Sequence, residues 1–226
     1  MKKKGIFLAG AAAILGASYE LFCPKATYLG RVITTGDRSS RAVALVFDKT
    51  PNIYTQQICN NLHTLEVPAT FFIVGEWARD NASMIRALRP FEIGVQAEVY
   101  TPLIFKATAT IRALIRPCVD LATKIQDRRP AFLLPPHGWK GPALLCAAAR
   151  FGLQVINPSY KARLNHGKEA ISYLDRVIQR ARAGDIILVS ICEELKVHEI
   201  SAMLSHIVEG LRAKGLTPWG LRALVK

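Results

Sequence analysis

Between Ala42 and Phe47 the chain is apolar without a break, Ala-Val-Ala-Leu-Val-Phe, and it then stops abruptly at Asp48. An uninterrupted run of this length, rich in β-branched side chains, is the pattern of a strand buried on both faces. Similar short runs predict strands at 69–74, 91–95, 131–134, 153–157 and from 185 to 189 or 190. Residues 28–35 read as an edge strand ahead of the first buried one. Between the runs the apolar period changes from strand-like to helical. Ile58, Leu62 and Leu65 form one stripe behind a helix start at Thr55, and Ile85 and Leu88 follow a start at Asp80 or Asn81 and stop before Pro90. A long helix is predicted over 103–126 with Arg112, Arg116 and Lys124 on its polar side, and an alanine-rich one over 142–151 ends at Gly152. Ile171, Leu174 and Ile178 mark a helix over 168–183, and Met203, Ile207 and Leu211 mark another over 199–214 that Gly215 terminates. Residues 216–224 supply a last strand or short helix.

Strand and helix alternate throughout, which predicts an α/β domain with a mostly parallel sheet and right-handed crossovers. Periodicity does not choose between an open sheet and a barrel. In both, the ligand crevice lies outside the carboxyl ends of the strands, and Asp48 sits at such an end. The 226 residues suffice for one domain of this kind with a substantial core.

Several segments resemble one family. Val46-Phe47-Asp48-Lys49-Thr50-Pro51 is similar to the T-F-D-D-G-P motif of polysaccharide deacetylases with a NodB-like domain, and Val67 to Gly75 resembles their V-x-A-T-F-F-x-x-G strand. Glu92-Ile93-Gly94 looks like the H-E-I-G opening of the second motif, Pro135-Pro136-His137-Gly138 like the tail of R-P-P-Y-G, and Gly184 to Leu188 like the strand that carries the last histidine. The segments occur in the family's order. The resemblance implies a distorted, incomplete (β/α) barrel with a groove at the strand carboxyl ends, and a domain over 25–226.

The family removes acetyl groups from sugars with a divalent metal held by the second Asp and two His. A metal-activated water attacks the carbonyl, the first Asp is the general base, and a late His protonates the leaving amine. Carried onto this chain, the base is Asp48, while Lys49, Gln96 and Tyr100 stand at the metal-ligand positions. Leu134 takes the place of the Arg that orients the base, Ser190 that of the late His, and Leu164 that of the Asp that tunes it. His137 retains the oxyanion position, because a backbone N–H needs no particular side chain. The resemblance thus implies no metal cofactor, with Pro136 and Trp139 expected to touch a glycan and Trp77 and Trp219 expected in the core. A rebuilt metal site from Asp48, His137 and Glu193 is the alternative; His63 and His206 read as helix-surface or packed residues. Asp48 also has a purely structural reading, as the cap of the next turn or the partner of a nearby cation.

Charge and leader pattern add a location. Lys2-Lys3-Lys4 followed by the apolar stretch 5–18 predicts a signal peptide or short membrane anchor over 1–24, hence an exported or membrane-anchored protein of the cell envelope. The net charge is +13, and removing 1–24 takes away only three Lys and one Glu, so the basic character belongs to the domain. It suits an anionic partner, yet no basic run with interleaved aromatics points to nucleic acid. Five scattered cysteines without a C-x-x-C pair read as buried thiols in helices or strands. Three functions follow: a glycan-binding relative without metal-dependent activity; a metal-free deacetylase or esterase working through Asp48 and His137; or a basic docking surface for an anionic polymer or protein.

Overall fold

The pleat of the first buried strand sorts its side chains between two cores. In β2 (Ala42–Thr50), Val43, Leu45 and Phe47 join the large cluster shared with the helices, whereas Ala42, Ala44 and Val46 join a second cluster with Phe72, Phe132, Leu134, Ile156 and Ile186. Successive strand residues point to opposite faces, so a sheet covered on both sides requires apolar residues at every position. The second cluster draws on several strands at once, which places it inside a curled sheet.

The structure, a computed structural model, describes residues 32–167, 169–192 and 195–226; the expected leader at 1–24 lies outside the described residues. Besides β2 the strands are β1 (Val32–Ile33), β3 (Ala69–Ile73), β4 (Glu92–Val95), β5 (Phe132–Leu133), β6 (Gln154–Ile156), β7 (Tyr160–Leu164), β8 (Ile186–Ile191) and β9 (Thr217–Trp219). The helices are α1 (Thr55–Thr64), α2 (Gly75–Asp80), α3 (Ala82–Leu88), α4 (Thr108–Gln126), α5 (Pro142–Ala149), α6 (Ala170–Arg180), α7 (Val197–Ala213) and α8 (Leu221–Leu224). The strand order is β1-β6-β5-β4-β3-β2-β8-β7, with β9 also beside β2, and every paired strand is parallel. This is the expected incomplete (β/α) barrel.

The two edges approach without forming a ladder. Ser159 Oγ donates to the Thr34 carbonyl at 2.6 Å and accepts the Ile186 N–H at 3.2 Å, and Thr35 bridges Asp185. Only residues 157–159 separate β6 from β7, too few to reverse the chain twice. The two strands are therefore one extended run that leaves one side of the gap and joins β8 on the other.

Departures from the sequence reading have local causes. The helix expected to start near residue 80 is preceded by α2, which begins at Gly75 immediately after β3. The long helix starts only at Thr108, with Leu103 buried in the preceding loop, and it carries Pro117 inside. β7 was not foreseen, because only Ala162 and Leu164 alternate with the charged Lys161 and Arg163. Ile171 is 42% exposed, and the buried stripe of α6 is Leu174, Val177 and Ile178 instead. Trp219, expected in the core, is 38% exposed on β9. Cys146 is also exposed, whereas Cys59 and Cys118 are buried and burial pushes both thiols up to about 12.

Candidate functional site

Strand parity decides what reaches the mouth of the barrel. Asp48 continues the inward set Ala42, Ala44, Val46 and lies nine-tenths covered at its top, with 9% exposed. Because Phe47 pairs with Val189, Ser190 falls beside Asp48, and its hydroxyl donates to Asp48 Oδ1 at 3.0 Å. The pairing of β2 with β3 shifts register between Phe47 and Thr50, and within this bulge Lys49 adopts φ 55°. Bulges re-aim side chains, and a non-glycine residue in the left-handed region is strained. Here the Lys49 N–H donates to Oε1 of Gln96 at 3.0 Å, and Gln96 is buried on the inward face just past β4.

Aromatic rings form the next layer. The Lys49 ammonium lies 4.9 Å from the centroid of Tyr100. Tyr100 stacks on Trp77 at 6.0 Å and meets the His137 ring at 4.6 Å, and His137 lies 5.7 Å from Trp139. His137 sits in the tight turn Pro136–Gly138 with φ 60°. The cleft has two lobes. One, about 580 Å³, is lined by Asp48, Lys49, Tyr100, His137, Trp139 and Lys161 among others; the second, about 490 Å³, includes Trp77, Asn81 and Ser190. Asp48 and Lys49 belong to both.

Burial dominates the electrostatics. It pushes the Asp48 carboxyl above its ordinary 3.8, while Lys161, the Ser190 hydroxyl and Lys49 pull the other way and lose. The Tyr100 phenol is raised as well, first by burial and then by the charge of Asp48, against the His137 N–H.

Of the residues singled out in the sequence, Asp48, Lys49, Tyr100, Leu134, His137 and Trp139 share the larger lobe, with Ser190 in the smaller one. Gln96 reaches them through Lys49. Leu164 does not: it is fully buried against the helices, because strand parity turns Ala162 and Leu164 outward and Lys161 and Arg163 inward. Pro135 rather than Pro136 lines the cleft, Pro136 opening the tight turn that follows. Trp77, expected in the core, is half-buried in the ring row. Asp48 does not cap the following turn; Asn52 does that through Thr55 and Tyr54. Lys161 and Asn157 were missed, although the period-two alternation of 161–164 is the signal that would have found Lys161. His206 Nε2 lies 2.7 Å from Asp175 on the outer helices.

A divalent metal fits this donor set poorly. Zinc takes imidazole nitrogen, thiolate or carboxylate, whereas Lys49 presents an ammonium and the Gln96 oxygen already accepts an N–H. Among the described residues no three His, Cys, Asp or Glu side chains gather closely enough to hold a metal. Glu193, needed for the rebuilt site, lies outside the described residues.

A curled parallel sheet wrapped by helices, with polar groups at the carboxyl ends of its strands, defines a protein of the (β/α)-barrel class. Residues 35–156 match the polysaccharide deacetylase family. The chain is 24% identical over 181 residues to a chitin deacetylase of Pestalotiopsis sp, covering 77% of this chain but only 60% of that protein. A solved peptidoglycan N-acetylglucosamine deacetylase shares the fold with a TM-score of 0.76 at 21% identity, over 86% of this chain and 92% of that one. A CE4 family pseudoenzyme from Bacillus anthracis does so with 0.75 at 18%, over 87% and 69%. At these identities the two structures speak for the fold alone. The chain belongs to the polysaccharide deacetylase family.

Proposed function

We propose that this member of the family binds an N-acetylated glycan of the cell envelope in the cleft above Asp48 and does not carry out metal-dependent deacetylation. One observation carries the reading: around Asp48 the positions that the family resemblance assigns to metal ligands hold an ammonium, an amide oxygen engaged by the Lys49 N–H, and a phenol. An ammonium beside the carboxylate repels a cation. Trp139 and the neighbouring rings supply the apolar faces on which sugars stack. Export or anchoring through residues 1–24 belongs to the same proposal, supported by their basic start and apolar continuation.

The metal-free hydrolase is less well supported, because Ser190 stands where the resemblance places the late His, and its hydroxyl is already given to Asp48 Oδ1 at 3.0 Å. Purified protein is expected to carry no stoichiometric divalent metal and to release no acetate from chitooligosaccharides with added zinc, cobalt or manganese. Elemental analysis and an acetate-release assay check this. Turnover with one bound metal per chain would refute the proposal; turnover without metal that Asp48→Asn abolishes would favour the metal-free hydrolase.

A further inference from the structure

We propose that the cleft selects a carboxylate-bearing glycan, with Lys49 and Lys161 receiving the anionic group while sugar rings lie along the aromatic row. This assignment rests on the glycan-binding reading above and names the class of glycan. Among the residues lining the larger lobe, Lys49 and Lys161 are the fixed cations and Asp48 is the acid. Both lysines are exposed, whereas Asp48 is covered and its Oδ1 takes the Ser190 hydroxyl. A ligand entering the lobe therefore meets two ammonium groups before it meets the carboxylate.

The two lysines arrive from β2 and β7, the strands on either side of β8, by different means. Lys161 stands on the inward face of β7, in register with Leu188 of β8, and acts on Asp48 through its charge. Lys49 is turned inward by the bulge and its left-handed backbone, and its ammonium rests over the face of Tyr100. That contact holds the ammonium at the cleft rather than extended into solvent. Trp77, Tyr100, His137 and Trp139 follow one another at 6.0, 4.6 and 5.7 Å between centroids, a row that passes from one lobe into the other. An oligosaccharide laid along this row brings successive sugars past both lysines. A neutral glycan uses the rings alone; a uronate or lactyl carboxylate also answers the charge.

The test uses the full chain and two matched probes, a tetrasaccharide of alternating N-acetylglucosamine and glucuronate and the same molecule with its carboxyls reduced to alcohols. Titration calorimetry is expected to show the carboxylated form bound about tenfold more tightly at low salt, as two exposed ion pairs allow. The gap narrows as salt rises. Lys49→Gln and Lys161→Gln each narrow the gap, while Trp139→Ala weakens both forms. Equal affinity for the two probes, with Trp139→Ala still weakening both, overturns carboxylate selection and leaves glycan binding standing. A preference that survives undiminished in both lysine variants also overturns it, since the overall charge of the protein would then be its source. No binding of either probe removes both readings.

Discussion

Asp48 carries its charge where burial opposes it, and this gives the residue a signature apart from any ligand. Its folded-state value lies above the ordinary 3.8 of the unfolded chain, so the native state holds the proton more tightly. Stability is then greatest below the unfolded value and is lost as pH rises through the raised one. Asp48→Asn, which keeps an acceptor for the Ser190 hydroxyl, is expected to melt above the parent at neutral pH. The difference should close as pH falls below 3.8 in thermal melts across pH. A lower melting temperature at neutral pH would mean that Lys161 and Lys49 outweigh desolvation. Much of this residue-level picture was legible beforehand, because Asp48, Lys49 and the His137 turn lie in contiguous motifs. Lys161 and Trp77 were not, because each reaches the cleft through strand parity or a ring contact rather than through a motif.

At the scale of elements, close packing explains residues that a motif only labels. Gly94 is on the inward face of β4, where a Cβ would lie 2.4 and 2.6 Å from carbons of the Phe72 ring and 3.2 Å from the Phe132 carbonyl oxygen. Phe72 is fully buried and has no open direction to yield. Gly94→Ala is therefore expected to destabilise the fold by about 2 kcal/mol, the scale of overpacking in a core. Chemical denaturation measures it, and a loss near zero would show that β4 can shift away from the ring. Helices and strands with one clean apolar stripe, such as α7 with Met203, Ile207 and Leu211, were read correctly from period alone. β7 escaped because its inward face is charged, so only half of its pattern is apolar.

The whole molecule depends on how its open barrel meets at the seam. Ser159 joins Thr34 beyond β1 to Ile186 of β8 through one hydroxyl that both donates and accepts. Ser159→Ala leaves both groups short of a partner and is expected to cost about 1–2 kcal/mol. The urea midpoint should fall with the slope unchanged, since the surface exposed on unfolding is the same. An unchanged midpoint would show that the backbone contacts across the seam, the Thr35–Asp185 bridge and the Gly36 N–H to Gly184 carbonyl bond at 2.7 Å, hold it without the hydroxyl. Sequence by itself determined the alternating α/β order, the parallel sheet and the carboxylate at the end of its first buried strand, because burial on two faces and helix periodicity are local, one-dimensional patterns. The tertiary structure decided which side chains share the cleft: Lys161 inward and Leu164 outward, the Gln96 oxygen spent on Lys49, the Tyr100 ring set between Lys49 and His137. Those outcomes turn on strand register, a bulge and sheet curvature, and these bring together residues far apart in the chain whose order gives no hint that they meet.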